Sequence, residues 1–189
     1  MSEEGTQTML IGLAAAAVIA AAVLAVLGSK PGSFRVRRTM RIEAPPEKVR
    51  QLVEDFYGWS SWSPFEDLDP VMRRAYSEPA AGAGAVYAWK SSGRAGTGRM
   101  VITESSPSRV VVQLDRAKSH SVAEFTFISA CGATEVAWSV EGAAPLLATL
   151  TLGRELQAGL ANLKATVERS WFGPRKPARR APRRFAAAA

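Results

Sequence analysis

Glu66, Asp67 and Asp69 fall within four residues of one another in the stretch FYGWSSWSPFEDLDP, residues 56–70. Carboxylates this close can divide acid and base roles or hold a cation; they can equally cap turns and keep a loop soluble. Asp69 before Pro70 suits a turn, whereas Glu66 follows Phe65 directly, where an aromatic neighbour can strip away its water. Arg73 and Arg74 come next. Neighbours on a strand point to opposite faces, so one of them can turn inward toward Glu66 or a ligand carboxylate, although two exposed arginines at a sheet edge are the plainer arrangement.

The remaining reactive side chains are isolated. His120, the only histidine, stands between Ser119 and Ser121 with no sequence neighbour suited to general-base or metal work. The single cysteine, Cys131, excludes an internal disulfide framework and a multi-cysteine metal site, and its expected place is the core. There is no G-x-S-x-G, no H-E-x-x-H and no phosphate loop, since GAGAV at 82–86 enters a strand rather than a helix. No metal and no cofactor is expected. The aromatic set carries more: Trp62, Phe65, Tyr87, Trp89, Phe125, Phe127 and Trp138, with Met100 among them and Glu66 as a polar tip, either line a mostly apolar binding site or fill a core.

What must position these residues follows from periodicity. Phe34, Val36, Met40 and Ile42 alternate with Arg35, Arg37, Thr39 and Arg41, which predicts a strand with one covered face, interrupted by Arg38. Pro45 and Pro46 suit a first helical turn, and Val49, Leu52, Val53 and Phe56 recur at helical spacing up to Gly58. From Val71 to Glu141 come six short alternating runs separated by Gly, Ser and Pro, the pattern of an antiparallel meander. Leu146, Leu150, Leu156, Leu160, Leu163, Val167 and Trp171 then mark one side of a long helix, in which Gly153 and Gly159 are costly. The order of elements predicts an α+β layer in which one curved sheet is covered by the terminal helix.

The runs FRVRRTMRIEAPPEKVRQLVEDF, WSSWSPFEDLDPVMRRAY, GAGAVYAWK, GTGRMVITESSPSRVVVQLD and GLANLKATVE resemble the START-like helix-grip superfamily (SRPBCC proteins), in its polyketide cyclase/dehydrase and lipid-transport branch. The resemblance covers about residues 34–169. It implies a curved antiparallel sheet wrapped around the long C-terminal helix, with a hydrophobic tunnel between them. The stretch DRAKSHS, Asp115 to Ser121, departs from the family pattern: it is polar where relatives often carry an aromatic, proline-bearing segment.

Outside the domain the chain divides into an N-terminal tail at 1–8, an apolar run at 9–27, a linker at 28–33 and a basic tail at 173–189. Met9 to Leu27 carries no charge over nineteen residues, enough to cross a bilayer as a helix. Its acidic leader SEEGTQT favours a retained anchor over a cleaved signal peptide. Lys30 to Arg41 after the run then predict a single-pass membrane protein with its domain in the cytoplasm. Of the net charge of +7, the tail holds +6 and residues 1–42 hold +3, which leaves −2 on residues 43–172. A nucleic-acid groove is therefore not expected, whereas the tail suits anionic lipid headgroups.

Three readings follow. One is a membrane-anchored binding protein that holds or transfers a hydrophobic small molecule, lipid or polyketide-like, with Trp62 and Phe65 plugging one end of the tunnel. The second is a cyclase/dehydrase-type enzyme that uses Glu66, Tyr87 or an inward arginine on a carbonyl. The third is a non-enzymatic interaction protein with a filled core.

Overall fold

The computed structural model describes residues 12–14, 16–19, 32–93, 95–116, 119–144 and 146–173. Residues 32–172 form strand β1 (Gly32–Ile42), helix α1 (Pro46–Glu54), two short 3-10 turns (Gly58–Ser61 and Glu66–Leu68), strands β2 (Arg73–Tyr76), β3 (Val86–Lys90), β4 (Thr97–Ser106), β5 (Arg109–Arg116), β6 (Ser119–Ala130) and β7 (Ala133–Ala144), and helix α2 (Leu146–Phe172). All strands pair antiparallel in the order β1-β7-β6-β5-β4-β3-β2. The meander thus closes back on its first strand and leaves β1 and β2 as edges.

Proline starts α1, but the helix stops at Glu54, before the Phe56 that the periodicity had included. Asp55 is extended, pairs with Ala81 and accepts the Tyr57 N–H on its side chain at 2.9 Å, so the chain leaves the helix while Phe56 stays buried. Cys131 is also placed otherwise than expected. It is exposed at φ +49 beside Gly132 at φ +79 in the two-residue β6–β7 turn, where the strand twist calls for two left-handed residues.

Helix α2 buries Leu156, Leu160, Leu163 and Val167 against the concave face, each worth roughly 1.5–3 kcal/mol. Leu150 and Trp171, expected on the same stripe, are exposed. Leu150 lies six residues before Leu156 and so about 120° off the stripe. Trp171 lies beyond Glu168, whose carboxylate accepts the Glu43 N–H at 2.9 Å and ties α2 to the end of β1. The helix glycines have packing reasons. A Cβ at Gly159 would stand 2.6 Å from the Trp138 ring, and one at Gly153 would meet the guanidinium of Arg38, the residue that broke the apolar alternation of β1.

Of the apolar run at 9–27, residues 12–14 and 16–19 are helical and exposed; the rest of it, like the tail from 174 onward, lies outside the described residues. Among the described residues no helix is long and apolar enough to cross a membrane. The expected transmembrane helix therefore has no support from them.

Candidate functional site

Strand register sorts the concave face into rows. Tyr76, Tyr87, Met100, Leu114, Ser121, Gly142 and Phe34 are successive cross-strand partners from one edge of the sheet to the other. The next row toward the sheet's open end is Arg74, Trp89, Gly98, Arg116 and Ser119. Deeper lies a row of Val110, Phe125, Trp138 and Arg38. Partners in a ladder share a face, so each row is a strip of the inner wall.

The expected site residues divide between two depths. Trp62 lies in the core with its ring 5.6 Å from Trp138 and 6.1 Å from Phe125, and those two stack at 4.9 Å. Its indole N–H donates to the Leu52 carbonyl at 3.1 Å, and that of Trp59 donates to Val53 at 2.8 Å. The two tryptophans three apart are thus posts fixed to the end of α1. Phe127 is buried on the same side of the molecule as this cluster, within the same core. Trp59 was not among the expected site residues, although its spacing from Trp62 on one turn was the available signal.

The other five, Phe65, Glu66, Tyr87, Trp89 and Met100, converge on a cavity of about 30 Å³ together with Trp59, Ser63, Met72 and Ala95. That volume holds little more than water. A larger hollow of about 530 Å³ lies at the sheet's open end against the exposed Arg35–Glu141 pair, Val122 and His120. It is open to solvent, and its one buried polar residue is Ser121, whereas the smaller cavity has Glu66 and Ser63 buried in its wall.

Glu66 is 8% exposed and fully engaged. The Tyr87 hydroxyl donates to Oε1 at 2.8 Å, Arg74 Nε donates to Oε2 at 2.8 Å, and Arg74 Nη2 donates to the Glu66 carbonyl at 3.0 Å. Arg74 also donates to the Met72 carbonyl, which fixes the loop on both sides of the carboxylate. The inward arginine is therefore Arg74, while Arg73 is exposed; the plainer expectation of two exposed arginines fails because Glu66 supplies the buried anion. The bond to Glu66 raises the Arg74 pKa despite desolvation. Burial, then the bond to Glu66, pushes the Tyr87 phenol far up, and burial raises Tyr76, which stacks on Tyr87 at 5.0 Å. Both phenols keep their protons through the neutral range.

Asp69 takes the turn role that its proline neighbour implied. It accepts the Val71 N–H and the Ser91 hydroxyl, and these bonds lower its pKa. Asp67 is exposed, and His120, on the rim, pairs with Asp115 at 2.7 Å. Among the described residues no cluster of His, Cys, Asp or Glu could hold a metal ion. Ser63 Oγ, by contrast, is buried at the cavity wall and has no hydrogen-bond partner among the described residues; the buried indole nitrogen of Trp138, in the core, has none among them either.

A phenol whose pKa rises on folding contributes stability below its unfolded value near 10 and loses it as pH climbs through the folded value. Alkaline unfolding titrations should therefore show stability falling above about pH 10, with a shallower fall for Tyr87→Phe. Equal slopes for the two proteins would show that Tyr87 is not held protonated by the fold.

The family profile described as "Polyketide cyclase / dehydrase and lipid transport" matches residues 33–168. No curated protein matches the chain in sequence. Among solved structures, a protein from Mesorhizobium loti superposes with a TM-score of 0.57 at 15% identity, covering 72% of this chain and 98% of its own. A point mutant of norcoclaurine synthase from Thalictrum, in complex with a transition-state analogue, gives 0.55 at 9% identity, covering 75% of this chain and 98% of its own. The KanY protein gives 0.54 at 23% identity, covering 72% and 99%. At these identities the likeness is one of fold.

Proposed function

This chain belongs to the polyketide cyclase / dehydrase and lipid transport family, and from that premise we propose that its domain holds or transfers a hydrophobic small molecule that carries a hydrogen-bonding group. The observation that carries the reading is the polar set at the wall of an otherwise apolar cavity: Glu66 held by Tyr87 and Arg74, with Ser63 Oγ left unpartnered beside it. A core with no ligand to hold is better served by apolar side chains, because buried charges and an unsatisfied hydroxyl cost stability. A ligand oxygen at Ser63 would satisfy the hydroxyl that the closed protein leaves open.

A cavity of about 30 Å³ is too small for such a molecule, so binding requires the segment from Ser63 to Met72 to move. Its composition supports this. Phe65 is only half buried, Leu68 and Val71 are exposed, and between Phe65 and the buried Met72 the segment is held by polar contacts at Glu66 and Asp69. Trp62 stays behind as part of the wall. A second reading, a cyclase/dehydrase-type reaction, is favoured by the same Tyr87, whose retained proton is donated to Glu66 here and becomes available to polarise a bound carbonyl when the segment that carries Glu66 moves away. The uncharged run at 9–27 and the cations that follow it support attachment of the domain to the cytoplasmic side of a membrane, with the basic tail near anionic headgroups.

Native mass spectrometry of the full chain with two neutral probes, hexadecanol and anthracenemethanol, tests the binding reading. A one-to-one adduct with either, accompanied by a change in tryptophan fluorescence, is the expected result. Absence of an adduct with both, and an unchanged spectrum, would leave the filled-core interpretation in its place.

A further inference from the structure

Arg116 ends β5 on the concave face, in the row that runs from Arg74 through Trp89 and Gly98. Its guanidinium carbon stands 5.6 Å from the centre of the Trp89 ring. That ring in turn lies across Gly98, where any Cβ would collide with it, and forms part of the cavity wall with its indole N–H donating to the Ala95 carbonyl at 3.1 Å. The arginine is therefore layered on the outer side of the residue that closes the cavity.

Among the described residues the Arg116 side chain makes no hydrogen bond and no ion pair, whereas Arg74 and Arg109 are each bonded to carboxylates. Arg116 is exposed at the surface, yet the protein around its guanidinium lowers its pKa by desolvation, with the charge of Glu155 on α2 acting the other way. Five N–H donors on an exposed side chain layered over an aromatic wall, and without a bonded anion among the described residues, match the planar fork by which arginine takes up carboxylate or phosphate oxygens. An arginine serving only solubility would extend into water rather than lie on the ring that closes the interior.

We propose that Arg116 is the head-group site of the ligand: the molecule is an anionic amphiphile whose carboxylate or phosphate docks on Arg116 at the outer face of Trp89 while its apolar body passes that ring into the interior. This rests on the reading of the domain as a binder of hydrophobic small molecules, and narrows it.

The test compares head groups on a common body in the full-length protein: hexadecanoate and hexadecyl phosphate against hexadecanol, and anthracene carboxylate against anthracenemethanol. The anion should bind roughly 10- to 100-fold more tightly than its neutral counterpart, the range of a charge-assisted hydrogen bond. Arg116→Gln should reduce that ratio to about one while leaving the neutral probe's affinity and the melting temperature unchanged; Arg116→Lys should keep part of it. Glu155→Gln should raise anion affinity by removing a like charge. Preference for carboxylate over phosphate, or the reverse, tells a fatty or aromatic acid from a phospholipid-type head. Tight binding of the neutral probes with no anion preference overturns the Arg116 assignment alone. Failure of every probe overturns the parent reading and the assignment with it.

Discussion

Arg74→Met is expected to lower stability by about 2–3 kcal/mol, and adding Glu66→Gln to that variant is expected to recover most of the loss. The reason is the asymmetry of the pair. Glu66 has a side-chain exposure of 7% and Arg74 of 27%, so removing the arginine strands a carboxylate that water barely reaches, whereas removing both charges leaves Tyr87 donating to a neutral amide oxygen. The arginine's own partial exposure moderates the effect, which places it below the 3–5 kcal/mol typical of fully buried pairs. In a domain of this size the single variant should melt about 10 °C lower. Urea or thermal unfolding of the wild type, both single variants and the double variant gives the coupling directly. Additive losses would mean that the ion pair is incidental to the loop's position.

Trp62→Ala should cost more, about 3–5 kcal/mol, because a fully buried indole leaves a large cavity among Trp59, Phe125 and Trp138 and frees the Leu52 carbonyl from its donor. Phe65→Ala should behave differently. Phe65 is half buried, packs against Trp138 at a centroid distance of 6.2 Å and lines the small cavity, so its truncation should cost no more than about 2 kcal/mol while changing the affinity for the neutral probes severalfold. Melting curves and probe titrations of the two variants separate the roles. A melting temperature unaffected by Trp62→Ala would refute its place in the core, and identical affinity in Phe65→Ala would remove that residue from the ligand's path. The plug foreseen for Trp62 and Phe65 together thus divides, with one ring in the core and the other at the wall of the small cavity.

The alternation of apolar and polar residues was enough to read all seven strands, because a covered face repeats every second residue whatever it is covered by. It was not enough to end α1. Phe56 kept helical spacing while Asp55 had already turned the chain through its bridge to Ala81, a partner distant in sequence. It also misplaced Cys131, whose position in a two-residue turn follows from the β6–β7 register rather than from its own chemistry. Gly153 and Gly159 looked like defects of α2 until Arg38 and Trp138 were seen to occupy the space their missing side chains leave.

By itself, then, the sequence determined the class of fold, the order of elements, the aromatic lining of the inner face and the suspicion that Glu66 differs from Asp67 and Asp69, since each of these is written in local periodicity or in an immediate neighbour. Only the tertiary structure decided which arginine turns inward, which rings are wall and which face the cavity, and that Arg116 meets Trp89 across two strands. Those facts depend on cross-strand register and on how far one loop closes over the sheet, quantities set by packing between residues far apart in the chain, on which no single stretch of sequence bears.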